Sequence, residues 1–160
     1  MHMLPTLETP SAADAQKLPS CRVAAGVILD HQGRILLTRR PDGRHLGGYW
    51  EFPGGKLEPG EEGAAALARE LREEIAIEID PAWCEPIISR AFPYPHLLVR
   101  LTMYLVRLRE PVTVRNRQVS DHRWVDADAL ETFTLPPPNV ELLPAIRDHF
   151  RSHPAASTPH

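Results

Sequence analysis

Cysteine is nearly missing from this 160-residue chain. Its two, Cys21 and Cys84, have no CxxC spacing, which excludes a disulfide framework and a cysteine-rich metal site. Reduced thiols in a cytoplasmic protein are the expectation. A basic excess is missing too. Lys and Arg number 18 against 21 Asp and Glu, for a formal net charge of -3. Polymeric nucleic acid asks for a basic face and is not an expected partner, although a local cluster can still hold a small anion. No apolar run approaches the length of a membrane span, so no membrane partner is expected. The first twenty residues lack the basic-then-apolar order of a secretory signal.

What is present fits one compact domain with a core that needs no staples. Residues 1–20 and 151–160 are rich in Pro, Ala, Ser and Thr, lack a sustained apolar period, and read as flexible ends. The domain is expected over 21–150. Val23 to Leu29 and Ile35 to Thr38 are strand-like runs separated by the turn residues Asp30 to Gly33, which predicts a hairpin. Tyr49 to Phe52 reads as a short strand halted by Pro53-Gly54-Gly55. Leu97 to Leu108 and Arg123 to Val125 are further strands. Glu61 to Ile75 is the clearest helix, with Ala64, Leu67, Leu71 and Ile75 on its core face. Val140 to Phe150 is a second, and Pro144 leaves its start open. Strands with a helix on each side predict an α/β (α+β) sandwich.

The chemistry concentrates in Gly54 to Glu61 and in Arg69-Glu70-Leu71-Arg72-Glu73-Glu74. Glu70, Glu73 and Glu74 lie three and four residues apart, which puts three carboxylates on one helix face. Such acids resist ionising together and call for a cation. Hard divalent ions take carboxylate oxygen and leave room for phosphates. The glycines allow close backbone approach, and Lys56 and a helix N-terminus can meet phosphate oxygens.

Gly55, five residues, Glu61, seven residues, then Arg69-Glu70-Leu71-Arg72-Glu73-Glu74-Ile75-Ala76-Ile77 resembles the Nudix box at every charged position. Ala76 stands where that family usually has glycine, a local strain rather than a loss of chemistry. The resemblance implies a mixed sheet between helices, and Mg²⁺ (or Mn²⁺) held by Glu70, Glu73, Glu74 and the Gly54 carbonyl. It also implies that Arg69 and Glu61 brace the loop. Thr38-Arg39-Arg40, His45, Glu51 to Lys56, Phe92-Pro93, Trp124 and Pro137-Pro138-Asn139 are similar to the MutT-type branch of that family. The implied activity is hydrolysis of a nucleoside triphosphate such as 8-oxo-dGTP to monophosphate and pyrophosphate, by a monomer or homodimer. Other diphosphate substrates (dCTP, ADP-ribose, a dinucleotide) and a non-catalytic nucleotide-binding module are the alternatives.

In that branch Arg40 and His45 would lie near the nucleotide, Lys56 near the phosphates, and Phe52 and Phe92 would line the base pocket or pack in the core. Asn139 either reads the base, offering a donor and an acceptor at once, or caps the last helix. The branch often has a further metal-binding glutamate before the Trp-Val pair. Residues 115–121 contain none, which leaves Asp121 or a box glutamate to orient the water. Arg115, Arg117 and Arg123 either meet phosphate or are solvated.

Overall fold

A computed structural model describes residues 11–15 and 17–152. The flexible ends expected at 1–20 and 151–160 fall largely outside those residues. Within them, Ala12–Ala15 form a single helical turn, α1, and the last helix runs to Ser152, past the expected boundary at 150. No described helix is long and apolar enough to cross a membrane.

One mixed sheet of seven strands carries the fold: β1 (Ser20–Leu29), β2 (Ile35–Arg39), β3 (Trp50–Glu51), β4 (Gly54–Lys56), β5 (Glu85–Tyr94), β6 (Leu97–Arg107) and β7 (Asp121–Val125). Helix α2 (Gly63–Ile75) packs on one face and α3 (Pro137–Ser152) on the other. The expected sandwich is what forms. Leu67, Leu71 and Ile75 of α2 are fully buried, and each contributes about 1.5–3 kcal/mol of burial. On the opposite side Leu142, Leu143 and Ile146 of α3 do the same work against Ala25, Val27 and Leu37.

The sheet is split where the site lies. β1 and β2 form the expected hairpin, whose turn is held by Asp30 Oδ1 accepting from the Gln32 and Arg34 amides. Beyond Leu29↔Ile35 the two strands part. β3 then pairs with β2 through Thr38↔Glu51, and β4 pairs with β1 through Ala25↔Gly54. Pro53-Gly54-Gly55 was expected to stop a strand, but the chain only changes partner there. A Cβ at Gly54 would strike the Ala24 carbonyl, so glycine is what lets β4 join β1. β5, an edge strand absent from the expectation, tolerates Pro86 and Pro93 because an edge leaves amides unpaired.

Helix α2 begins at Gly63, two residues later than expected, because Glu61 is used elsewhere. It ends in a left-handed cap at Ala76, φ 60° and ψ 30°. The Ala76 amide donates to the Arg72 carbonyl, the closing bond of an αL cap, and the Ile77 amide donates to that of Leu71. Alanine carries a steric cost in that conformation that glycine lacks. Ala76→Gly is therefore expected to stabilise the protein by about 1 kcal/mol, seen as a higher urea midpoint at unchanged slope. A lower midpoint would refute this account of the cap.

Candidate active site at the sheet split

A cleft of about 640 Å³ opens at the split, a volume in the range of small-molecule sites. Glu70 and Glu74 of α2 form one wall with Gly54, Gly55 and Lys56 of β4. Arg40, His45, Glu51 and Phe52 line the cleft too, as does Asn139 of α3. Eight of the ten residues expected at the site meet here: Arg40, His45, Phe52, Gly54, Lys56, Glu70, Glu74 and Asn139.

Glu73 and Phe92 do not line this cleft. The Glu73 side chain is 44% exposed and accepts from Arg69 Nη1 at 3.2 Å, because Arg69 lies four residues back on the same helix and draws it away. Phe92 is buried on β5 within the core cluster under α3. Asn139 is not a helix cap. It lies in the first turn of α3, after Pro137 and Pro138, and its Oδ1 accepts from the Phe52 amide at 3.4 Å.

Arg69 organises the loop. Its guanidinium donates to both oxygens of Glu61 at 2.9 Å, to Glu70 Oε1 at 3.0 Å and to the Lys56 carbonyl at 3.0 Å. Glu61 also accepts from the Glu58 amide. The Arg69 hydrogen bonds, followed by that amide, hold the Glu61 carboxyl at a pKa of about 2. The brace between Arg69 and Glu61 thus forms between the glycine-rich loop and α2.

The opposite shift occurs within the cleft. Burial, then the charge of Glu70 and a hydrogen bond shared with it, then the charge of Glu51, push Glu74 up to about 8. Burial raises Glu51 as well, and Arg40 opposes it by donating from Nε to Glu51 Oε1 at 3.0 Å. Arg40 Nη1 reaches the His45 carbonyl at 2.7 Å. Glu70 and Glu51 thus both act on Glu74, and Arg40 opposes them. Glu51 was not singled out from the sequence. Its signal was a charged residue in a two-residue strand, on the same side as Thr38 across the ladder.

Among the described residues, no three His, Cys, Asp or Glu side chains are gathered as a ready cage for a metal ion. Glu73 is drawn off by Arg69, which leaves Glu70 and Glu74 as the converging pair. The donor set still fits a hard divalent ion, which takes one or two carboxylates and fills its other positions with water and phosphate. A Cβ at Gly55 would lie 2.5 Å from the Glu70 carboxyl carbon, so this glycine is what seats Glu70 against β4.

Residues 115–118 dock on the C-terminal end of α2. The Arg115 amide donates to the Ile75 carbonyl, and those of Arg117 and Gln118 to the Glu74 carbonyl. Gln118 thereby reaches the cleft. Asp121 does not. It pairs across the ladder with Arg39 and lines a separate depression with Trp50 and Arg123, so it is no candidate for orienting water. Arg123 stacks over Trp50 at 5.4 Å, and Arg117 Nη1 bonds the Arg72 carbonyl, so neither lines the cleft.

The NUDIX domain model matches residues 24–145. An enzyme of Haemophilus influenzae named 8-oxo-dGTP diphosphatase is 38% identical over 124 residues, 76% of this chain and 88% of that one. The CTP pyrophosphohydrolase of Escherichia coli is 32% identical over 131 residues, 80% of this chain and 93% of that one. A solved MutT structure, from work on Aliivibrio salmonicida and Vibrio cholerae, superposes with a TM-score of 0.63 at 30% identity, over 82% of this chain and 99% of that one. The box, the split sheet and these likenesses agree: the chain belongs to the Nudix family of hydrolases.

Proposed function

We propose that this enzyme cleaves a nucleoside triphosphate, 8-oxo-dGTP being the favoured substrate, to the monophosphate and pyrophosphate in the cytoplasm, with Mg²⁺ or Mn²⁺. The observation that carries the reading is that Asn139 lines the same cleft as Glu70 and Glu74. Phe52 holds the amide oxygen of Asn139 from behind. That fixes the orientation of the side chain, whose nitrogen is a donor and whose oxygen keeps a second lone pair. Oxidised guanine presents an N7 hydrogen beside O6 and matches such a pair, whereas guanine presents two acceptors.

Glu70 and Glu74, with the Gly54 carbonyl, would hold the divalent ion, and Glu73 would join them by turning from Arg69. Bound there, the ion would polarise phosphate and ease ionisation of water. Lys56 and Arg40 provide positive charge along the phosphate path. Glu51, whose proton affinity burial raises, is suited to accept a proton from the attacking water.

A panel of 8-oxo-dGTP, dGTP, dCTP, CTP and ADP-ribose with product identification tests this. The expected result is monophosphate plus pyrophosphate, with 8-oxo-dGTP turned over best. Asn139→Ala should reduce the preference for 8-oxo-dGTP over dGTP by about tenfold or more. A clear preference for ADP-ribose or CTP would overturn the assignment. Glu73→Gln should lower turnover without unfolding the protein, and undiminished activity would remove Glu73 from the ion's ligands.

A further inference from the structure

A second pocket lies where Arg22, Arg100 and Thr102 come to one face of the sheet by strand alternation, and Val23 and Leu101 border both it and the cleft. Arg22 of β1 and Arg100 of β6 are register partners there, side by side on one face. Like charges directly opposite each other repel across a ladder. Among the described residues, neither guanidinium has a carboxylate or carbonyl partner. Both are exposed and free to swing.

The next row of the ladder adds hydroxyls. Ser89 and Thr102 are register partners and share one hydrogen bond of 2.8 Å. One of their two hydroxyl protons is used in that bond, and the other is left to point outward. Ala91, opposite Arg100, keeps the floor shallow beside them. The far wall is Tyr104, whose hydroxyl reaches the start of α2 because residue 63 has no side chain; a Cβ at Gly63 would strike it. The acid in reach is Glu62, exposed ahead of that helix and felt by Tyr104 together with Arg22. Arg22 and Arg100, with Arg90 also in the lining though its guanidinium bonds the Glu141 carbonyl, thus outweigh one acid around a pocket of about 270 Å³.

We propose that this pocket is a second anion site, independent of the divalent ion, for a small phosphate-class oxyanion. Two adjacent guanidiniums and hydroxyl donors match the oxygens of such a group. The volume admits inorganic phosphate or pyrophosphate and lies below the usual size for a whole nucleotide. The pocket touches Leu57 and Gly63, the two ends of the loop that Arg69 braces. An oxyanion held here therefore contacts the loop from its outer side.

The test is an amide chemical-shift titration of the full-length chain in EDTA, with inorganic phosphate, pyrophosphate and AMP as separate probes against chloride at equal ionic strength. Saturable shifts are expected at Arg22, Gly63, Arg100 and Thr102 with phosphate or pyrophosphate. A preference for pyrophosphate would mark the reaction's product as the source, and equal affinity would mark free phosphate. The double variant Arg22→Gln, Arg100→Gln should weaken binding about tenfold or more. Glu74→Gln should leave it unchanged. Both arginines are exposed, so the double variant is expected to fold, and its melting curve checks this. Shifts confined to Gly54–Lys56 and α2, a titration unchanged in the double variant, or tighter binding of AMP than of either inorganic probe would each overturn the proposal.

Discussion

Replacing Glu74 by glutamine should lower turnover about a thousandfold while leaving the fold intact. The glutamine keeps the shape of a neutral carboxyl but cannot become the anion that holds a cation. The structure gives a second, independent signature. The folded protein holds the Glu74 proton up to about pH 8, whereas an unfolded chain releases it near its ordinary value of 4.5. The stabilisation from this proton is complete below the unfolded value and is lost as pH rises toward the folded one. The metal-free wild type should therefore melt progressively lower between about pH 5 and about pH 8, and the Glu74→Gln variant should lack that part of the slope. Thermal melts in EDTA at three pH values measure it. A variant retaining more than about a tenth of wild-type turnover would sink the assigned role.

Arg69→Ala should lower the melting temperature by roughly 5–10 °C and abolish most activity together with it. Its guanidinium is 16% exposed and donates to Glu61, Glu70 and Glu73, as well as to the Lys56 carbonyl. Truncation leaves the Glu61 and Glu70 carboxylates, each 15% exposed, without their counter-charge. It also frees the loop that presents Lys56. Arg69→Lys keeps the charge but not the two-pronged contact with Glu61, so an intermediate loss is expected. The interaction has its own pH window. Glu61 titrates near 2 in the folded protein, so its contribution is present above about pH 4.5 and fades as pH falls toward 2. An Arg69→Ala protein melting within about 2 °C of wild type would refute the brace.

The box, the clearest helix and the first hairpin were legible in the sequence because each rests on local spacing. The helix period of Leu67, Leu71 and Ile75 needs no knowledge of a partner. The strained position of Ala76 was legible for the same reason. What escaped depends on contacts distant in sequence. β4 looked like a strand stop because its glycines are poor strand formers, yet the close approach to Ala24 requires one of them. Glu51 is a site residue only because the split sheet turns it toward Glu74. Phe92 was ambiguous by nature, since an aromatic residue before proline suits either a pocket wall or a core, and the core took it. Glu73 sits at the expected spacing on the helix, but spacing alone does not show that Arg69 competes for its carboxylate.

The docking of residues 115–118 against the end of α2 has a dynamic consequence. The amides of Arg115, Arg117 and Gln118 belong to side chains at the surface, yet they are tied to the carbonyls of Ile75 and Glu74. Their hydrogens should exchange with deuterated solvent at rates set by the opening of the helix end rather than of an open loop. The segment and the helix would then loosen as one cooperative unit, and any fluctuation that releases Gln118 from the cleft would also disturb the backbone beneath Glu74.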